Sequence, residues 1–105
     1  DNLALASIAE GASGLVSVIG NLVPQHIKRL VDLALAGRRN EAAALHHRLL
    51  PLMDALFLES NPIPLKAALQ QLGFCGDALR LPLVPAQEST RRRLAETLAF
   101  HEEVA

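Results

Sequence analysis

GASGLVSVIGN, Gly11 to Asn21, is the stretch whose reading decides the fold of this 105-residue chain. Four of the five residues Leu15 to Ile19 are apolar, three of them β-branched, and Gly14 and Gly20 bracket the run. That pattern predicts a buried strand rather than a short helix. A lone buried strand leaves a row of N–H and C=O groups on each side without partners, and each unpaired buried group costs about 1–3 kcal/mol. The rest of the sequence holds no second strand-like segment, so the chain is expected to be a piece of a larger sheet protein or to borrow strands from another chain. A structure in which Leu15 to Ile19 is helical, or solvated with its backbone paired to nothing, would end this reading.

Working outward, Asp1 or Asn2 is placed to cap a short helix with Leu5, Ile8 and Ala9 on one face, and Gly11 sits where a left-handed C-terminal cap is wanted. On the other side Gly20 and Asn21 turn the chain. Pro24 stands near the first helical position of a segment with Ile27, Leu30, Val31, Ala34 and Leu35 on one face, closed by Gly37. This helix, strand, helix order predicts a parallel sheet covered by helices. In a parallel α/β barrel, ligands sit at the C-terminal ends of the strands, which singles out Val16 to Asn21.

From Arg38 onward the alternation stops and a helical appendix is expected. Asn40 is placed to cap a long helix with Leu45, Leu49, Leu52 and Leu56 at coiled-coil-like spacing, kinked at Pro51. Asn61-Pro62-Ile63-Pro64 reads as an N-cap followed by two prolines in the first turn, where N–H groups lack intrahelical partners anyway. Leu65, Leu69 and Leu72 then form a stripe ending at Gly73. Phe74 to Pro85 is expected to be an ordered loop with Leu79, Leu81, Leu83 and Val84 held against the body. The last helix starts near Gln87 to Ser89, with Leu94, Leu98 and Phe100 as core candidates.

Composition narrows the function classes. A net charge of −1 and the absence of Tyr and Trp leave neither a field nor a stacking surface for nucleic acid. Charges break every apolar run well short of a bilayer-spanning length, and no secretory leader opens the chain, so no membrane is expected. One cysteine, Cys75, cannot form an internal disulfide, which fits the cytoplasm. The chain opens at Asp1, without an initiator Met, directly into an apolar pattern, as a segment cut from a longer polypeptide would.

Few residues invite chemistry. His46 and His47 are adjacent on a helix and diverge by about 100°, so they cannot share a metal. His26 and His101 belong to distant segments, and no metal-ligand spacing or cofactor motif occurs, so solvated or interface histidines, no metal and no cofactor are expected. Cys75 has no paired base in sequence and reads as a buried structural thiol. Arg91, Arg92 and Arg93, flanked by Glu88 and Glu96, read as a solvated face with ion pairs inside the helix. Lys28 and Lys66 are the only lysines. A Schiff-base lysine needs a desolvated pocket, whereas Lys28 falls among the polar positions of an exposed helix and Lys66 follows the proline cap in a structural role. Gly11 and Gly14 predict a tight helix-to-strand turn, and Gly20 a close approach at the strand exit.

Three blocks carry a resemblance: GASGLVSVIGNLVP, then HHRLLPLMDALFLESNPIPLKAALQQLG, then LRLPLVP. In this order they resemble the C-terminal part of the dihydrodipicolinate synthase (4-hydroxy-tetrahydrodipicolinate synthase) family over almost the whole chain. The resemblance implies an α/β fold, the last units of a (β/α)8 TIM barrel over residues 1–37 and a C-terminal helical extension over residues 38–105. Leu15 to Ile19 would be the eighth strand, Asn2 to Glu10 the seventh helix and Gln25 to Ala36 the eighth. It also implies a homo-oligomeric lyase of lysine and diaminopimelate biosynthesis that condenses pyruvate, held as a Schiff base on a strand-six lysine, with aspartate semialdehyde. That lysine and the proton-relaying tyrosines would lie upstream, in the remainder of the barrel, leaving no catalytic side chain here. One site position maps onto this chain: Val16, whose main-chain carbonyl would lie beside pyruvate and the Schiff base, a role indifferent to Ile-to-Val exchange. The segment alone is expected to be inactive. Two alternatives stand beside this reading: a sugar-acid aldolase such as an N-acetylneuraminate lyase, and a stand-alone helical interaction module without catalysis.

Overall fold

A computed structural model describes the backbone over residues 1–104 and the side chains over residues 1–99. The regular elements are α1 (Ala4–Ala9), a 3-10 turn (Ile19–Asn21), α2 (Pro24–Leu35), α3 (Arg39–Ala55), α4 (Ile63–Gln71) and α5 (Glu88–Val104). They fall into two compact units, Asp1–Met53 and Asp54–Ala105.

The strand expected over Leu15 to Ile19 is not formed. Residues 12–17 are neither helix nor strand, and Ile19 opens the 3-10 turn. A ladder needs a second strand, and the described residues contain none. Leu15, Val16 and Ser17 make no backbone–backbone hydrogen bond among them. The apolar run is also split by environment, since Val16 is fully exposed while Ile19 is fully buried. The outcome that would end the strand reading is met only in part: Val16 is solvated with an unpaired backbone, whereas Ile19 is buried and its carbonyl accepts from the Leu22 and Val23 N–H groups at 2.9 and 3.0 Å.

In the first unit, α1 packs on α2, and α2 on the 3-10 turn. The core of this layer is Ala4 and Ile8 from α1, Ile19 from the turn, and Ile27, Leu30 and Leu33 from α2. Two expected core positions are corrected: Ala9 and Leu35 face solvent. Pro24 opens α2 at its first turn, where a missing N–H costs nothing. Gly37 follows α2 with φ 74°, the left-handed conformation that closes helices with least strain at glycine. The Arg38 carbonyl accepts the first bond of α3, from the Ala42 N–H at 3.0 Å, so Asn40 lies inside the first turn and is not the cap. The helix runs on through Pro51, and Leu45, Leu49, Leu52 and Leu56 are all buried as their spacing predicts.

In the second unit, α4 packs on α5. Pro62, rather than Asn61, is the N-cap of α4, and Pro64 sits in its first turn. The buried face is Ile63, Pro64, Leu65, Ala67 and Ala68; Leu69 is half-buried and Leu72 exposed, so the stripe is one turn shorter than expected. Phe74 to Pro85 is a loop, but Leu81 and Val84 are exposed rather than held inward. The Gln87 N–H at the start of α5 donates to Glu59 Oε2 at 3.0 Å. Leu94 and Leu98 are buried; the side chains of Phe100 and His101 lie outside the described residues.

Candidate functional site

The segment singled out for function, Val16 to Asn21, is a turn built by side chains. Three successive N–H groups open it. Those of Val18 and Ile19 donate to Asp1 Oδ2 at 3.0 and 2.8 Å, and that of Gly20 donates to Ser17 Oγ at 2.9 Å. Ser17 stands one residue before the N-cap, Val18, and its hydroxyl oxygen accepts from the amide three residues on. The Asn21 side chain closes the far end by donating to the Val18 carbonyl at 3.0 Å. Gly20 is required by the approach: a Cβ there would meet Ser17 Cβ and Oγ at 3.2 Å. Gly14, by contrast, has open space and no positive φ, so nothing in its backbone demands glycine.

Asp1 was expected to cap α1. Its side chain instead satisfies two donors of the turn, while the α1 cap position is Leu3 with no side-chain bond. A single carboxylate oxygen serving two N–H groups of a tight turn does more than the same oxygen serving one amide of a six-residue helix. Sequence spacing carried no sign of this contact, because partners 17 and 18 residues apart fall outside any local pattern. Among the described residues no hydrogen bond uses the Val16 carbonyl, and the residue itself is bare.

The other candidates lie elsewhere and do not converge. Lys28 is exposed and paired with Asp32 at 2.5 Å. Lys66 is half-buried on α4. Cys75 is exposed, which corrects its reading as a buried thiol. Arg91 is likewise not part of a solvated face. Its Nη2 pairs with Asp77 at 2.6 Å, Nη1 donates to Gln70 at 2.8 Å and Nε to the Ala86 carbonyl at 3.1 Å, so it ties the loop to α4 and the start of α5. Arg92 and Arg93 are exposed.

A groove of about 680 Å³ in the first unit is lined by Leu5, Ile8, Ala34, Ala43, His46 and His47, among others. His46 Nδ1 is buried there without a partner among the described residues. Burial of the ring, and then the neighbouring His47, hold the His46 pKa below 6.5. The two rings meet edge to face with centroids 5.4 Å apart. The described residues contain no group of three or more His, Cys, Asp or Glu able to hold a metal ion, and no helix long and apolar enough to cross a membrane.

Comparison with known proteins supplies what the isolated turn does not. Residues 1–101 match the dihydrodipicolinate synthetase family. The chain belongs to that family. The 4-hydroxy-tetrahydrodipicolinate synthase of Methanosarcina barkeri is 43% identical over 98 residues, which are 93% of this chain and 34% of that protein. The crystal structure of dihydrodipicolinate synthase from Thermotoga maritima superposes with a TM-score of 0.94 at 39% identity, over 96% of this chain and 34% of that one. The Acinetobacter baumannii dihydrodipicolinate synthase, solved in complex with pyruvate, gives 0.93 at 34% identity, over 96% of this chain and 35% of that one. The chain therefore spans about a third of the length of the relatives it matches. The likeness covers nearly all of this chain, so its backbone superposes on about one third of a dihydrodipicolinate synthase.

Proposed function

We propose that this chain is the C-terminal third of a 4-hydroxy-tetrahydrodipicolinate synthase, a (β/α)8-barrel lyase joining pyruvate to aspartate semialdehyde through a lysine Schiff base. The observation that carries this is 43% identity to a protein of that name across 93% of the chain. The backbone likeness to a pyruvate-bound relative supports it. In this reading residues 1–37 close the barrel and residues 38–105 form the helical extension. The Leu15 to Ser17 segment, which makes no backbone–backbone hydrogen bond, becomes a strand when the upstream chain lies beside it, which accounts for unpaired backbone next to a hydrogen-bonded turn. Partners are then the rest of the barrel, the two substrates and further copies of the same chain, in the cytoplasm.

Within these residues the role left for the chain is electrostatic. The Val16 carbonyl, at the end of the segment, faces the developing iminium and complements its positive charge. The exposed, ion-paired Lys28 lies in no enclosed pocket that would hold a Schiff base, and there is no tyrosine to relay protons.

Borohydride reduction of the full-length enzyme with pyruvate tests the proposal. The expected result is one covalent adduct on a lysine outside residues 1–105 and none on the 105-residue chain alone. An adduct on Lys28 or Lys66 would overturn the assignment of roles. Turnover of aspartate semialdehyde, compared with longer sugar-derived aldehydes, separates this lyase from a sugar-acid aldolase.

A further inference from the structure

The role proposed for the Val16 carbonyl depends on where that carbonyl is held, and the turn that follows it is held by Asp1. The chain leaves Val16 through Ser17 into a turn whose first two amides, those of Val18 and Ile19, are both fixed by Asp1 Oδ2. We infer that Asp1 is a positioning residue for pyruvate: its carboxylate sets the turn at Val18–Ile19 and, through it, the direction of the Val16 carbonyl two residues earlier. This rests on the proposed lyase reading.

Three observations converge on Asp1. Its contact crosses 17 and 18 residues, so it fixes the segment's exit against the start of α1 rather than against its own neighbours. It acts on two consecutive backbone donors, which restrains peptide orientation in a way that one bond to a side chain does not. It also acts on the buried side of the segment. Ile19 is fully buried and Val16 fully exposed, so the restraint passes from a packed residue to a bare one. Asp1 Oδ1 is buried and accepts no bond among the described residues; the capping belongs to one oxygen alone, which an amide oxygen can imitate.

The test compares Asp1→Ala and Asp1→Asn in the full-length enzyme. For Asp1→Ala the KM for pyruvate is expected to rise by roughly tenfold, as misdirecting one group at a reacting centre does. Borohydride trapping should then saturate only at correspondingly higher pyruvate, while the KM for aspartate semialdehyde stays within about twofold. Asp1→Asn, which keeps an acceptor oxygen, should recover most of the loss. Unchanged pyruvate KM in Asp1→Ala overturns the inference, and so does an equal rise in both KM values, which a merely structural role would give. If Asp1→Ala does not fold, Asp1→Asn decides: no recovery of trapping at wild-type pyruvate levels counts against positioning by an acceptor. Wild-type enzyme that traps no pyruvate overturns the lyase reading itself, an outcome distinct from all of these.

Discussion

Two irregular segments in this chain are each fastened by one charged side chain, and they are fastened differently. At Ser17 to Asn21 the anchor is Asp1, and what it grips is backbone: two consecutive N–H groups. At Phe74 to Pro85 the anchor is Arg91, and two of its three acceptors are side chains, Asp77 and Gln70, with the Ala86 carbonyl as the third. Gripping amides sets peptide orientation; gripping side chains sets only the distance to the loop. The first is what a site that presents a carbonyl needs. The second suffices to hold a connection down, and it leaves Leu81 and Val84 exposed without consequence for the anchor.

If Arg91 is a tether, its removal is the largest stability loss among these contacts. Arg91→Ala should cost about 2 kcal/mol by urea unfolding of the full-length protein, since three hydrogen bonds to a half-buried cation are lost together. Arg91→Lys should regain at most half, because a point charge cannot serve three acceptors arranged for a planar fork. A loss under about 0.5 kcal/mol would erase the distinction between the two anchors.

The turn is tested more finely by crowding it. Gly20→Ala brings a methyl to 3.2 Å from Ser17 and is expected to cost about 1 kcal/mol. In a Ser17→Gly background the same change should cost less than half as much, a coupling that a double-mutant cycle measures. Additive effects would mean that Ser17 and Gly20 are not one unit.

A smaller effect falls on pH. Because the folded His46 pKa lies below 6.5, the unfolded chain binds more protons as pH falls through that value, and stability drops toward acid. The Tm of the wild type should fall between pH 7 and pH 5 more steeply than that of His46→Asn. Equal slopes would show that the groove does not hold this ring neutral.

The smallest effect calibrates the rest. Lys28 and Asp32 are bonded at 2.5 Å, yet their side chains are 76% and 58% exposed, against 23% and 34% for Arg91 and Asp77. Lys28→Ala should change stability by no more than a few tenths of a kcal/mol. A cost comparable to that of Arg91→Ala would mean that burial is not what separates these pairs.

Much of the helical part could be read from the residues in order. Leu45, Leu49, Leu52 and Leu56 recur at helical spacing and are buried together. Gly37 and Gly73 follow helices with φ of 74° and 83°, and prolines stand in the first turns of α2 and α4. The helical spacing, the glycine closures and the first-turn prolines follow from interactions within one or two turns, so the order of residues is enough to establish them. The resemblance to the family was legible for a similar reason, since it rides on contiguous blocks.

Other features depended on residues far away along the chain. Leu15 to Ile19 has the composition of a strand, but a strand exists only beside another strand, and none occurs among the described residues. Asp1 looked like a cap for the helix next to it and serves a turn 17 residues on; Arg91 looked like one of three solvated arginines and reaches Asp77. Cys75, Leu35 and Leu81 could be placed inside or outside only once the neighbouring surface existed. Local spacing establishes helices because their hydrogen bonds close over four residues. Strand pairing, long-range side-chain anchors and burial are settled by what the folded chain brings together.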